Sequence, residues 1–399
     1  MKQLREFMPQ SWGLVFSAFA AAYGVGLLAL LALPFLISAV MNDLGLDEAQ
    51  AGFLMSAEFV FTMLASLIVA PLMGTAPRRT IAAIGLAAAV AANLASAAVQ
   101  DVYLLTVLRC CAGAGAGLAL ACGNACVSSA QDPDRVAGWM NVLFVALMIV
   151  VMLVFAQAMA SGGLKGLYYA MAITMAVMLP LVLFMPQRGT AVQHAQHFRM
   201  PDSKLLSGVA ICMMAAMFLF STRDTMGWAF VEQVGVRVGY EGEELGFLFS
   251  LQAFVGLIGP LLASIIGKRF GMSTPVILGV LSCGAVSLGY ILGELSKPMY
   301  TVAVMMIAAT YFYALAYLTA LAASLDREGR IVAACGSFLT LGIAVGPALS
   351  GLLVSLGGYQ LVAWAIIGAV ALTLVAVSVP LSRVRAHERG SVLAGAASG

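Results

Sequence analysis

Charge is what this chain has least of. Only 10% of its 399 residues are Asp, Glu, Lys or Arg and 62% are hydrophobic, whereas soluble globular proteins carry about 25% charged residues. So little polar surface excludes a water-soluble globule and makes lipid the expected solvent. Histidine is nearly missing as well: His194, His197 and His387 all lie in polar breaks, and none has metal-ligand spacing with a cysteine. The seven cysteines (Cys110, Cys111, Cys122, Cys126, Cys212, Cys283 and Cys335) fall in apolar segments and read as small packing residues. No catalytic group, metal or cofactor is therefore expected, which argues against a membrane metalloenzyme. The net charge of +2 and the lack of a basic cluster give no reason to expect nucleic acid. A glycine-lysine phosphate loop is also missing. The N-terminus has no clear small-residue cleavage site before an apolar run too long for a signal-peptide core, so it reads as a retained first span.

Long apolar runs are what the chain does have. A spanning helix needs about 20 mostly apolar residues, and twelve such segments can be marked. Short breaks such as "NDLGLDEAQ", "GTAPRRT", "QDPDR", "EGEE", "GKRFG" and "LGGY" separate them. The longest break lies in the middle, "MPQRGTAVQHAQHFRMPDSK". The chain also repeats itself across that break. "AGFLMS" at 51–56 returns as "LGFLFS" at 245–250, and "SAQDPDRV" from Ser129 is answered by "SLDREGRI" from Ser324. These patterns predict an all-α polytopic membrane protein with twelve transmembrane helices in two pseudo-symmetric six-helix bundles. The expected boundaries are 1–186 for the first bundle, 187–204 for a central loop, 205–382 for the second bundle and 383–399 for a tail. Basic residues set the orientation: fifteen fall on the side of the termini, and only Lys165, Arg237 and Lys297 on the other. Both termini and the central loop are expected in the cytoplasm.

Arg109 to Gly117, "RCCAGAGAG", puts an arginine and two glycines at i, i+4 and i+8 on the fourth segment, a strip suited to close helix contact. With the two-times-six organisation, this resembles the major facilitator superfamily over essentially the whole chain. The resemblance implies transport by alternating access, in a monomer of the bacterial inner membrane. Three departures stand out. Gly74 replaces the aspartate usual in the loop after the second helix, though Arg78 and Arg79 remain; the counterpart "GKRFG" keeps Arg269 and also lacks the acid. The Gly-Pro pattern that exporters carry on the fifth helix stands instead on the eleventh, as Gly342, Gly346, Pro347 and Gly351.

Ionisable groups inside the spans are costly, by about 2.5–3.5 kcal/mol each on insertion scales. The candidates are Glu58, Arg109, Arg223, Asp224 and, further out, Glu232. Glu58 begins a polar stripe with Thr62 and Ser66, and the repeat puts Gln252 at the matching position of the other half. Glu58, Asp224 and Arg109 are read as proton-coupling candidates, against a purely structural Glu58–Arg109 pair. Arg223 and Asp224 are adjacent, about 100° apart round the helix, and are not expected to point the same way. Asp224, Trp228 and Glu232 form an i, i+4, i+8 cavity stripe. Arg109, Arg223, Tyr23, Trp228, Gln252, Tyr313 and Tyr317 are the substrate-binding candidates, with Thr310 sharing the tyrosine face. Tyr168 and Tyr169 read as interfacial anchors. The expected function is proton-coupled (or sodium-coupled) uptake of a small organic anion or amphipathic metabolite. A proton-driven exporter of lipophilic compounds and a non-transporting receptor are the alternatives.

Overall fold

The computed structural model describes residues 11–128, 130, 133–187, 207–267, 269, 271–325 and 330–397. The expected central loop, His194, the Ser129–Asp132 side of the second repeat and its partner around Asp326 lie largely outside them, as do Lys2, Arg5 and Lys268. Eight helical runs are each one span long: α1 Trp12–Leu44, α2 Glu48–Met73, α3 Arg78–Ser96, α4 Val102–Val127, α7 Gly208–Arg237, α8 Gly242–Ile266, α9 Ser273–Ile291 and α10 Lys297–Leu325. Two more, Arg135–Val182 and Ile331–Arg385, have 48 and 55 residues. At about 1.5 Å per residue these are twice the thickness of a bilayer core. Each breaks where glycine backbone leaves the helical region: Gly163 (φ 55°) in the first, and Gly357 with Gly358 (φ 69°) in the second. A positive φ costs glycine little and other residues more. The breaks give α5 (135–162), α6 (164–182), α11 (331–356) and α12 (359–385), and so twelve helical segments in two sets of six among the described residues. Beyond the last span, helix continues to Ala397, where only a tail was expected.

The face holding Ser11 and Arg385 is called here the terminal face, and the face holding Gly163 and Gly358 the loop face. On the loop face Asp43, at the end of α1, accepts the Leu164 N–H at 2.6 Å and so caps the start of α6. Close contact between the bundles is concentrated towards this face and uses the first repeat twice. Gly52 of α2 lies against the Pro347 carbonyl and Gly351 of α11, while Gly246 of α8 lies against Ala156 of α5. Four residues further along, Ser56 Oγ accepts the Ala348 N–H at 2.8 Å, and Ser250 Oγ donates to the Ile149 carbonyl at 2.8 Å. The echoed Gly-Phe-Leu-x-Ser stretches are thus two pseudo-symmetric seams between the bundles. Among the described residues, α4 makes no extensive approach to α10 or α11 at the terminal face.

Arg78 and Arg79 sit where the acid of the neighbouring loop is missing. Arg78 donates to the carbonyls of Met73 (2.7 Å) and Ala125 (3.0 Å), and Arg79 to that of Met185 (2.7 Å). These carbonyls belong to the ends of α2, α4 and the α6 segment, where helix dipoles favour cations. Through these carbonyls the arginines clamp helix ends.

Candidate functional site

Among the described residues, two buried ion pairs lie inside the spans, one in each bundle. In the first, the glycines of α4 let α2 come close: an added Cβ at Gly113 or Gly117 would strike the carbonyls of Glu58 or Thr62. That approach brings Glu58 to Arg109, with Oε2 and Nη1 3.6 Å apart and both side chains buried. Arg109 also donates to Asn93 Oδ1 (3.1 Å), Ser96 Oγ (2.7 Å) and the Ala92 carbonyl (3.4 Å) of α3. Tyr168 of α6 covers its guanidinium at 4.3 Å. Arg109 is fully enclosed by its own bundle: its Nη groups meet helix partners and its Nε has no hydrogen-bond partner, so no exposed donor is offered to the substrate expected there. Tyr168 is corrected from an interfacial anchor. It is buried over Arg109, and only Tyr169, 40% exposed and near Lys165, keeps an anchor's position. The expected polar stripe ends at Thr62, whose hydroxyl donates to the Glu58 carbonyl within α2.

In the second cluster, Arg223 Nη1 lies 3.4 Å from Asp224 Oδ1, 2.8 Å from Ser287 Oγ and 3.4 Å from the Cys283 carbonyl. The adjacent residues do meet, contrary to expectation, because the long arginine side chain curls back across the angle between them. Both lie in the middle of α7, and Asp224 keeps 20% of its side chain exposed.

From this pair a continuous run of rings crosses between the bundles. The Arg223 guanidinium lies 5.0 Å from the Phe220 ring, which stacks on Tyr311 at 5.3 Å. Tyr311 meets Phe312 at 5.5 Å, and Phe312 meets Phe144 of α5 at 6.4 Å. Phe144 packs at 4.6 Å on Tyr23 of α1, whose hydroxyl donates to Asn141 Oδ1 at 3.0 Å. Tyr23 sits in a π-helical stretch, Ala20–Gly26; such one-turn widenings are frequent at functional sites.

The other aromatic candidates lie elsewhere. Tyr317 donates to the carbonyls of Ala263 and Gly267 on α8, and Tyr313 packs on it at 5.1 Å, so both serve the inside of the second bundle. The ring run uses the other face of α10: Tyr311 lies two residues, or about 200°, round from Tyr313. Gln252 is buried between α8 and α10, with Oε1 accepting the Ala308 N–H at 3.2 Å, and not in a central cavity. Trp228 donates to the Leu30 carbonyl across the bundles at 2.8 Å and packs on Phe249, which meets Phe35. These three rings plug the loop-face side. The stripe Asp224, Trp228, Glu232 is therefore not one cavity wall but site, plug and outer chamber in turn, each step about 6 Å along α7.

Sequence reading missed Asn93, Asn141, Phe144, Ser287, Tyr311 and Phe312. Asn93 and Asn141 were visible as amides in apolar runs. Tyr311 and Phe312 carried no signal to separate them from the neighbouring tyrosines.

Two six-helix bundles joined at one face, with aromatic rings between them, make a polytopic membrane protein. Residues 14–327 match the sequence profile of the Major Facilitator Superfamily, and the chain belongs to that family. The sequence matches none of the curated proteins. Similar solved structures include the nucleoside transporter NupG, with a TM-score of 0.69 at 15% identity over 92% of this chain and 97% of that one. Its D323A mutant gives 0.65 at 14%, over 93% and 98%. A D-xylose-proton symporter gives 0.67 at 14%, over 90% and 94%.

Proposed function

We propose that this protein is a proton-coupled symporter for a small, uncharged, hydroxylated amphipathic metabolite. The carrying observation is the charge-balanced Arg223–Asp224 pair at the end of a run of rings reaching both bundles. A guanidinium beside a carboxylate offers donor and acceptor to a hydroxylated ligand without leaving a net charge to attract an anion. Rings on both sides suit an apolar ligand face. The similarity in fold to nucleoside and xylose-proton transporters agrees with this ligand class. Asp224, Arg223, Tyr23, Tyr311 and Asn141 are the proposed substrate contacts. Glu58 with Arg109 is the proposed proton-coupling pair; Trp228, Gln252, Tyr313 and Tyr317 position the helices.

The proposed moving units are 1–186 and 205–382, joined by 187–204 and followed by 383–399. One chain supplies both sides of the site, so a monomer is the working unit. The excess of basic residues on the terminal face supports a cytoplasmic position for it, and the proposed membrane is a bacterial inner membrane. The structure then corresponds to the state closed on the outside, and rocking of the bundles about the site exposes it alternately. The organic-anion reading retains one support, an Arg223 Nη2 with no hydrogen-bond partner.

A thermal-shift screen of the full chain against nucleosides, pentoses, organic acids and lipophilic cations tests this proposal. Stabilisation by a neutral hydroxylated compound, lost in Asp224→Asn, supports it. Stabilisation by organic acids alone, lost in Arg223→Ala, replaces it with the anion reading.

A further inference from the structure

Beyond the plug formed by Phe35, Trp228 and Phe249 lies a separate chamber of about 390 Å³. It is walled by both bundles: Phe35 and Ser38 from α1, Ala160 from α5, Glu232 and Val236 from α7. Volumes of this order hold small organic ligands. The walls are mostly apolar, but Glu232 lies in them 99% buried and its Oε2 has no hydrogen-bond partner. Ser38, in the same lining, supplies no charge. Among the described lining residues the one cation is Arg237, half exposed, 3.2 Å from Glu294 and 4.8 Å from the Tyr359 ring. A buried carboxylate of this kind calls for a positive partner. The surrounding face supplies a field of the right sign. Asp43, Asp47, Glu48, Asp101, Glu294 and the three acids of the Glu241–Glu244 turn stand against Lys165, Arg237 and Lys297, eight to three. Such a surface raises the local concentration of cations.

We propose that this chamber is a second binding site, distinct from the central one, for a small organic ammonium ion with an apolar body. The ammonium group pairs with Glu232, the Phe35 ring contributes a cation–π face, and the body fills the apolar remainder. Because the chamber exists only where the two bundles meet, an occupant binds the loop-face-closed state and favours it over others. The inference stands independently of the substrate proposed above.

The test is titration calorimetry of the purified full chain with 2-phenylethylammonium, the uncharged 2-phenylethanol, and sodium chloride as the inorganic cation. The amine is expected to bind, and 2-phenylethanol to bind roughly ten- to a hundredfold more weakly, since a charge-assisted bond is lost. Glu232→Gln should weaken the amine by the same factor, while Asp224→Asn leaves it unchanged. Equal binding of amine and alcohol, or an amine affinity indifferent to Glu232→Gln, overturns the proposal. So does amine binding that Asp224→Asn removes, which would put the cation in the central site. Glu232-dependent binding of sodium with no binding of the amine overturns the organic assignment. If Glu232→Gln does not fold, Ala160→Trp decides, because it fills the chamber from an exposed position: loss of amine binding supports the site, and unchanged binding rejects it.

Discussion

Glu58 and Arg109 interlock with three helices, and their substitutions should behave very differently. Arg109→Ala strips Glu58 of its charge partner and leaves Asn93 Oδ1 and Ser96 Oγ facing a cavity. Breaking one side of a buried ion pair costs about 3–5 kcal/mol. Arg109→Ala is expected to lower the thermal midpoint sharply, and Arg109→Ala with Glu58→Gln to recover much of the loss. A double variant no more stable than the single one would show that the pair is not coupled. Glu58→Gln alone keeps shape, as Gln252 does at the matching place between α8 and α10. In counterflow assays it should bind and exchange substrate, yet fail to accumulate it when a pH gradient is imposed. Fully pH-driven accumulation in Glu58→Gln would move the coupling role to Asp224. At the other cluster, Arg223→Ala removes a charge-assisted contact and should weaken substrate binding roughly ten- to a hundredfold, measured by the ligand's thermal shift or calorimetry.

Helices show most plainly what could and could not be read from the sequence. Their number followed from apolar length, and the glycine strip of α4 from its i, i+4, i+8 spacing. The Glu58–Arg109 pair followed from the high cost of leaving either charge alone. The phase of α10 did not: with three tyrosines and a phenylalanine within seven residues, only the packing partners decide which ring faces which way. Nor could the stripe on α7 be divided, because the plug at Trp228 is completed by Leu30, Phe35 and Phe249 from other helices. The echo of "AGFLMS" in "LGFLFS" was legible as symmetry, but its use as two seams between bundles depends on Pro347, Gly351 and Ala156 opposite. That use gives a test. A Cβ at Gly52 would run into the Pro347 carbonyl, so Gly52→Val should disfavour closure at the loop face. Read by mass spectrometry, alkylation of a Ser38→Cys variant should rise at least about tenfold, a shift of about 1.4 kcal/mol. No change in labelling would remove the α2–α11 seam from the gating scheme.

At the scale of the molecule, the bundles meet at the loop face while Asp224 keeps 20% of its side chain exposed, and the repeat supplies a matching half to move. Charge is asymmetric in two ways: acids gather on the loop face, and Glu58 of the α2–α4 pair has only an amide, Gln252, for its counterpart in α8. In the proposed scheme coupling belongs to the first bundle and substrate charge recognition to the second, and the rings between Tyr23 and Phe220 are the proposed link between them. Radiolabelled uptake in proteoliposomes, with an imposed pH gradient and a panel of nucleosides, pentoses, organic acids and lipophilic cations, tests this account most directly. It predicts accumulation of a neutral hydroxylated compound that collapses with the pH gradient, persists without sodium and is lost in Glu58→Gln. Accumulation of that compound undiminished after the pH gradient is collapsed, or uptake restricted to lipophilic cations, would contradict it.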